Sequence, residues 1–166
     1  TPHAVDLLDI GCGAGNYSLK MLQALPNLNV ALLDLSQPML ERAAQRVGAA
    51  TSGQVVTHQA DIRELELGEA RYDIILAATV FHHLRADEEW RAVFAKCLRA
   101  LRPGGALWIS DMIEHQHPPL QALMKARYGE YLSAQKGDKY RETVFSYIEK
   151  EDTPRSILFQ VDLLRE

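Results

Sequence analysis

Apolar and polar positions form alternating blocks along the first two thirds of the chain, with short apolar runs separated by amphipathic stretches. The apolar runs predict five strands, at residues 4–10, 29–33, 54–58, 72–78 and 106–110. Strands that are apolar throughout, with helical patterns between them, are typical of a parallel sheet covered by helices on both faces. The pattern therefore predicts a doubly wound, mostly parallel α/β fold.

Apolar residues at helical spacing predict the helices between these strands. The first helix is expected at residues 17–25. The second begins after Ser36, its N-cap, and its buried stripe is formed by Met39, Leu40, Ala43, Ala44 and Val47. The helix before the fifth strand has the clearest stripe, made of Trp90, Val93, Phe94, Cys97, Leu98 and Leu101. The Pro103-Gly104-Gly105 turn is expected to end that helix.

The pattern changes after Asp111, where only helices are expected. Three helical segments are predicted, at residues 120–134, 138–150 and 154–165. Aromatic residues recur in the first two segments, and Tyr128 and Tyr131 are candidates to line a substrate pocket. We interpret the chain as a single domain, in which residues 1–112 form the core and residues 113–166 form a helical cap that includes the last helix.

Charge and composition narrow the classes of partner. The formal net charge is −4, and from His115 onward eight basic and eight acidic residues are interspersed, so no basic face for nucleic acid is indicated. No apolar run approaches the ~20 residues of a membrane helix, and the N-terminus has no signal-peptide pattern. Two cysteines are too few for a disulfide framework and favour a cytoplasmic location. Because an initiator Met is absent, we expect a segment upstream.

A glycine-rich segment directly follows the first predicted strand. Gly11, Gly13 and Gly15 alternate with other residues immediately before the first helix. Glycine is needed where backbone has a positive φ or approaches a ligand closely, and open parallel sheets bind ligands at the carboxyl ends of their strands. Asn16 stands where the dinucleotide pattern GxGxxG requires glycine, which disfavours an NAD-dependent oxidoreductase.

Two carboxylates follow the next two strands. Asp34 ends the second strand, 19 residues beyond Gly15 (34 − 15), and can accept hydrogen bonds from both hydroxyls of a ribose. Asp61 follows the third strand and can accept a hydrogen bond from the exocyclic amine of adenine, while Ile62 packs on the ring. With the glycine loop, these residues predict an adenosine site across three adjacent strand ends.

These motifs resemble those of the class I, Rossmann-like S-adenosylmethionine-dependent methyltransferases. The resemblance rests on five segments in order: LDIGCGAG (8–15), LDLS (33–36), ADI (60–62), YDII (72–75) and LRPGG (101–105). It covers about two thirds of the chain. It implies the Rossmann-like fold, S-adenosylmethionine as cofactor, S-adenosylhomocysteine as product and methyl transfer as the activity.

The resemblance also implies a set of cofactor contacts. They lie at or beyond the carboxyl ends of the first four strands and comprise Asp9, Gly11, Cys12, Gly13, Gly15, Asp34, Leu35, Met39, Asp61, Ile62, Ala77 (or Ala78) and His82. The glycine loop would hold the methionine part of the cofactor. Asp34 would hold the ribose, and Leu35 and Met39 would pack against the adenine. Asp61 and Ile62 would flank the adenine.

The C-terminal part adds a second, fainter resemblance. Residues 125–166 are similar to the equivalent stretch of carboxy-S-adenosylmethionine synthases, which use this fold for tRNA wobble-uridine modification. We expect a shared ancestry of the cap rather than a shared activity. Methyltransferases of this class close their sheet with a β-hairpin after a final helix, and this chain ends at Glu166 before such a hairpin. The sheet edge is therefore expected to be completed elsewhere, or the chain to be a fragment.

Candidates for acid–base catalysis follow the fourth and fifth strands. His82 and His83 come after the fourth strand, and Asp111 and His115 come after the fifth. An acceptor that is a hydroxyl or a protonated amine would need one of them as a base. Cys12 has no evident base nearby, so we do not expect it to act as a nucleophile.

Metal-ligand residue types also occur close together after the fifth strand. Asp111, Glu114, His115 and His117 have short spacing, but no second cluster in the sequence completes a coordination shell. The sequence therefore predicts no metal.

The sequence predicts in-line methyl transfer to a small-molecule acceptor, for which alignment suffices and no catalytic triad is needed. Two alternatives remain open: a non-catalytic module that binds the cofactor, and a carboxy-S-adenosylmethionine synthase-like reaction on the cofactor itself. Neither a membrane nor a nucleic acid is indicated as a partner. The acceptor is undefined, and the oligomeric state is open, a homodimer being one alternative.

Overall fold

A computed structural model describes residues 3–165, which divide into two compact units. The described part of the first unit comprises residues 3–81 and Glu88–Asp111. The described part of the second comprises His82–Asp87 and residues 112–165.

The first unit is built on a five-stranded sheet. Its strands are β1 (Asp6–Ile10), β2 (Asn29–Asp34), β3 (Val55–Gln59), β4 (Tyr72–Ala78) and β5 (Leu101–Ser110). They lie in the order β3-β2-β1-β4-β5, and every neighbouring pair is parallel. The chain winds outward from β1 to β3 and then returns to the other side of β1, so the topological switch point lies between β1 and β4. The predicted α/β fold is confirmed.

Three helices connect these strands: α1 (Asn16–Ala24), α2 (Gln37–Gly48) and α3 (Asp87–Ala100). In α2 the stripe of Leu40, Ala43 and Val47 is buried, as predicted. Met39 was expected in the same stripe but is exposed, because one residue turns its side chain about 100° around the helix from Leu40. Ser36 is the N-cap as predicted, although its side chain makes no capping hydrogen bond.

The predicted stripe of α3 forms an aromatic core. Trp90 and Phe94 pack against Phe81, with ring centroids 6.1 and 5.3 Å from it, and all three are fully buried. Two predicted members of the stripe are wrong. Leu98 is partly exposed, and Leu101 opens β5, because the helix ends at Ala100.

β5 begins five residues earlier than predicted, at Leu101 rather than Ala106 (106 − 101). The Pro-Gly-Gly segment therefore lies within the strand, where its register with β4 shifts between Tyr72 and Ile74. Helices flank the sheet as predicted, and at its two edge strands Val56 of β3 and Trp108 of β5 are each about half exposed.

The second unit contains only helices among its described residues. They are α4 (Pro118–Lys136), α5 (Asp138–Glu151) and α6 (Ile157–Leu163), with the end of a 3₁₀ turn at Phe81–His83. Gly137 joins α4 to α5 with a φ of 83°. Gly129 allows the two helices to approach, since a Cβ there would lie 3.2 Å from the Phe145 ring. No helix among residues 3–165 is long and apolar enough to span a bilayer.

Candidate functional site

The loop after β1 contains three glycines in the left-handed region, with φ of 64° at Gly11, 51° at Gly13 and 77° at Gly15. Two of them are needed for packing. A Cβ on Gly11 would lie 2.7 Å from Val80, and one on Gly15 would lie 2.9 Å from Val47. A Cβ on Gly13 would meet nothing within 4 Å. Gly13 is therefore the position of this loop at which a ligand can approach the backbone.

Asp34, the last residue of β2, joins the glycine loop to the next strand end. Its Oδ2 accepts a hydrogen bond of 2.8 Å from the backbone N–H of Gly13, and its Oδ1 accepts one of 2.8 Å from Ser36. An ionised carboxylate has about four acceptor positions. Two therefore remain, which is the number that the two hydroxyls of a ribose require.

Arg46 of α2 supports the loop from the other side. Its Nη1 donates to the carbonyl of Ala14 and, over 2.8 Å, to Oδ1 of Asn16. Asn16, which departs from the dinucleotide pattern, therefore has a structural partner. The sequence does not single out Arg46, because its contact depends on how α2 packs against the loop.

Asp9 lies beneath the loop and is almost completely buried. Ser18 Oγ donates to its Oδ2 over 2.6 Å. Burial raises the pKa of Asp9 from 3.8 to about 6, the hydrogen bonds from Ser18 oppose this rise, and the charge of Asp34 adds to it. The carboxylates of Asp9 and Asp34 are therefore close enough for their charges to interact.

The thiol of Cys12 is buried close to the same two carboxylates. Burial, followed by the charges of Asp9 and Asp34, raises the pKa of its thiol to about 12. The thiolate is therefore negligible at neutral pH, which agrees with the expectation that Cys12 is not a nucleophile.

We expect the Asp9→Asn variant to be more stable than the wild type at neutral pH. Because the pKa of Asp9 is higher in the folded state than in the unfolded chain, folding stability falls as the pH rises from about 4 to about 6 and stays reduced above that. The rise of the pKa from 3.8 to about 6 limits the gain in stability to roughly 3 kcal/mol. The cost of burying the amide of Asn reduces this gain to about 1–2 kcal/mol. Urea unfolding at pH 4, 5, 6 and 7.5 measures this difference.

The gain should disappear and turn into a small loss at pH 4, because the wild-type carboxyl is protonated there while the cost of burying the amide remains. The matched control is Glu41→Gln, an exposed acid of α2, which should follow the wild type at every pH. An Asp9→Asn variant that is less stable than the wild type at pH 7.5 would contradict the assignment.

The loop after β3 carries Asp61, whose carboxylate is paired with a side chain. Arg63 donates to it through Nη2 (2.6 Å), Nε (3.0 and 3.1 Å) and its backbone N–H (2.8 Å). These hydrogen bonds hold the pKa of Asp61 below its usual range. Arg63 also reaches Glu89 over 3.1 Å. The contact of Asp61 with an adenine amine stays a prediction, and it requires the exposed Arg63 side chain to rotate away.

Lys96, a buried residue of α3, fixes this same loop. Its Nζ donates to the carbonyls of Ile62 (2.9 Å), Arg63 (3.1 Å) and Leu65 (2.8 Å). Ile62 is thereby held in a buried position. The sequence analysis missed Lys96, although a lysine within three residues of the apolar Val93 and Phe94 was a signal that could have found it.

Two apolar side chains stand exposed beside Asp34. Leu35 is 66% exposed and Met39 is 45% exposed. Large apolar surfaces in such a position are suited to cover a flat ring. Ala77, in contrast, is fully buried in β4, where it pairs with Ile10 of β1 and Ile109 of β5, so the contact of its backbone with the cofactor stays a prediction.

The predicted base candidates fall into different units. Asp111 ends the first unit, at the carboxyl end of β5, and is half-buried. His82 and His83 belong to the second unit, where both imidazoles lie next to Asp152. The sequence analysis missed Asp152, which lies 69 residues beyond His83 (152 − 83).

The remaining predicted residues are the metal-ligand types after the fifth strand and the two tyrosines of α4. All of them lie in the second unit except Asp111, which ends the first. Among the described residues, Asp111, Glu114, His115 and His117 do not bring three ligand atoms together. Tyr128 and Tyr131 stack with ring centroids 6.3 Å apart on an exposed part of α4.

Comparison with known proteins decides the family. Residues 7–105 match the sequence profile of the family described as a methyltransferase domain. The chain belongs to this family. The match covers β1 to the middle of β5, and so includes the glycine loop, Asp34 and Asp61.

Individual relatives are similar over part of their length. The 27-O-demethylrifamycin SV methyltransferase of Amycolatopsis mediterranei is 35% identical over 108 residues, which are 64% of this chain and 38% of that protein. The carboxy-S-adenosyl-L-methionine synthase of Shewanella loihica is 30% identical over 127 residues, which are 75% of this chain and 51% of that protein. The chain thus spans about half or less of the length of these relatives.

Solved structures share the fold. The BH2331 protein of Bacillus halodurans C-125 superposes with a TM-score of 0.69 at 16% identity, covering 99% of this chain and 62% of that one. The Rossmann-like methyltransferase fold of the chain is therefore confirmed.

Proposed function

We propose that this chain binds S-adenosylmethionine at the glycine loop and Asp34 and transfers its methyl group to a small-molecule acceptor. The observation that carries the proposal is the hydrogen bond from Gly13 N–H to Asp34 Oδ2. It joins the loop after β1 to the end of β2 in one cradle, open at Gly13 and with acceptor positions left on Asp34. Membership of the methyltransferase-domain family supports it.

The charges around the loop suit this ligand. Asp9 and Asp34 are close enough for the charge of one to raise the pKa of the other. Such a pair favours a ligand that carries positive charge, because a cation relieves the repulsion between the carboxylates. S-adenosylmethionine carries a sulfonium and an ammonium group, whereas the pyrophosphate of NAD is anionic. The two carboxylates therefore suit S-adenosylmethionine better than NAD.

The residues of the chain have a limited chemical task in this reaction. When bound, S-adenosylmethionine supplies a methyl group that its positive sulfur has already activated. Asp34 would fix the ribose, and the loop backbone would fix the methionine part. Alignment of this kind can contribute up to ~7–11 kcal/mol in favourable cases without a dedicated acid or base. For a hydroxyl or protonated amine acceptor, His82, His83 and Asp111 remain the candidate bases.

A small-molecule acceptor is supported by the charge of the chain. The net charge of −4 and the interspersed C-terminal charges offer no basic track for a nucleic acid. The name of the Amycolatopsis relative, 27-O-demethylrifamycin SV methyltransferase, supports a small-molecule acceptor as well.

We expect S-adenosylhomocysteine to bind with a dissociation constant in the micromolar range and to raise the melting temperature. Isothermal titration calorimetry and thermal unfolding of the purified chain measure both, with NAD and ATP as control ligands. An acceptor screen with methyl-labelled cofactor then tests transfer to small hydroxyl and amine compounds. Stabilisation by NAD but not by S-adenosylhomocysteine would contradict the proposal. Binding without transfer to any acceptor would favour a non-catalytic module.

A second candidate is modification of the cofactor itself. It is favoured by the similarity to the Shewanella carboxy-S-adenosyl-L-methionine synthase, which extends over 75% of this chain. This reaction predicts a cofactor product heavier by one carboxyl group when prephenate is added. Mass spectrometry of the small-molecule fraction separates the two candidates, since plain methyl transfer gives S-adenosylhomocysteine and no such product.

A further inference from the structure

The second unit contains a compact group of metal-ligating side chains. His82 and His83 end the 3₁₀ turn, and Asp152 follows α5. One ligand atom from each of the three lies within 4.8 Å of the others. The two imidazoles approach the same oxygen, since His82 Nε2 is 3.8 Å and His83 Nδ1 is 3.1 Å from Asp152 Oδ1.

That oxygen is buried and unsatisfied. The side chain of Asp152 is 3% exposed, and its Oδ1 receives no hydrogen bond from the part of the chain that the structure describes. His83 Nδ1 is near enough to donate, but it is not aligned as a donor. Burying a carboxylate oxygen without a partner costs free energy. A cation placed between this oxygen and the two nitrogens would remove that cost.

Hydrogen bonds hold the group in place before any ion binds. The backbone N–H of Thr153 donates to the His82 carbonyl over 2.7 Å, and Thr153 Oγ1 donates to the Leu84 carbonyl over 2.6 Å. Arg85 Nη2 donates to the Lys150 carbonyl over 2.8 Å. Both segments that carry the ligands are therefore fixed relative to each other, which lowers the entropic cost of assembling the site.

We propose that His82 Nε2, His83 Nδ1 and Asp152 Oδ1 bind one divalent ion of the zinc class. Two imidazole nitrogens with one carboxylate oxygen suit zinc, whereas calcium and magnesium require mostly oxygen ligands. Tetrahedral zinc with bonds of ~2.0–2.1 Å places ligand atoms about 3.3 Å apart. The two measured separations lie on either side of that value, and the half-exposed His83 can rotate to adjust.

The ion would connect the turn after β4 to the end of α5 within the second unit, and its fourth position would be open to water. His82 and His83 are also candidate bases of the proposed methyl transfer, so an ion bound to both imidazoles would leave Asp111 as the base. Binding of the ion itself can be measured without S-adenosylmethionine.

Among the described residues, no other set of three metal-ligating side chains comes as close together. The neighbouring carboxylate of Glu151 is already paired with Arg85 and Lys150.

The test measures metal binding directly on the purified chain without an affinity tag. After treatment with a chelator, the protein is dialysed against Zn²⁺ and analysed for metal content, and Co²⁺ is used for visible absorption. We expect one ion per chain and a melting temperature that rises with Zn²⁺. His83→Ala and Asp152→Asn should each weaken binding by at least about 100-fold, because removing even an outer-shell partner costs about 10–100-fold.

The matched control is His117→Ala, an exposed histidine of the same unit outside the group, which should bind the ion as the wild type does. Circular dichroism checks folding. If Asp152→Asn does not fold, the metal affinity of His83→Ala alone tests the proposal. The His83 side chain is 48% exposed, so its truncation should leave the fold intact. The proposal is overturned if the wild type binds neither ion, if both variants bind like the wild type, or if the cobalt spectrum shows thiolate ligands.

Discussion

The Asp34→Ala variant should bind S-adenosylhomocysteine at least about 100-fold more weakly than the wild type. Each hydrogen bond to a charged group contributes about 1.5–3 kcal/mol, and the proposed ribose contact contains two of them. Since 1.4 kcal/mol corresponds to a factor of ten, their loss exceeds two orders of magnitude. The variant also frees the backbone N–H groups of Gly13 and Ser36, which Asp34 holds over 2.8 Å, so the loop loses its anchor.

Calorimetry below the melting temperature measures the affinity, and circular dichroism confirms that the variant is folded. Asp34→Asn should be intermediate, because its amide oxygen can still accept the Gly13 hydrogen bond but carries no charge. Glu41→Ala, on the exposed face of α2, should bind like the wild type. An Asp34→Ala affinity within about threefold of the wild type would show that the ribose is held elsewhere.

The strands, the glycine loop and Asp34 could be predicted from the sequence because each depends on neighbouring residues. A continuous apolar run such as that of β4 specifies a buried strand wherever it lies in the sheet. The loop glycines follow directly on β1, and their positive φ is a local requirement. The order of the strands then brings Asp34 to the loop, because β2 is the neighbour of β1.

The residues that the sequence analysis missed act over long separations. Arg46 contacts Ala14 of the glycine loop 32 residues away, and Lys96 contacts Leu65 31 residues away. Asp152 reaches His83 only because α5 ends next to the turn after β4. None of these contacts leaves a periodic pattern, since each depends on tertiary packing and not on spacing.

Asp61 shows a different limit of the sequence. Its position after β3 was predicted, but its partner was not, because an arginine two residues away could equally have pointed into solvent. In the structure Arg63 occupies the carboxylate of Asp61 and bridges to Glu89. The pair is bidentate and the Asp61 side chain is only 17% exposed, so a ligand that binds Asp61 must displace Arg63 at a higher cost than the at most about 1 kcal/mol of a fully exposed ion pair.

Comparing Gly13→Ala with Gly104→Ala separates the need for glycine in the backbone conformation from the need for open space next to a ligand. Both Gly13→Ala and Gly104→Ala place a side chain at a positive φ, 51° and 80°, with nothing within 4 Å of the new Cβ. Each should therefore lose about 1–2 kcal/mol of stability in urea unfolding, the cost of a left-handed L-residue. Gly104 lies near the start of β5, at the opposite end of the sheet from the glycine loop.

Only Gly13→Ala should also lose affinity for S-adenosylhomocysteine, because its methyl group would occupy the space that the proposed methionine contact needs. We expect a loss of at least about 100-fold by calorimetry, since a clash against a fixed loop cannot be relieved by a rotamer change. Gly104→Ala should bind like the wild type. If both variants bind equally well, the open space at Gly13 does not receive the ligand, and the cradle formed with Asp34 serves only to hold the loop.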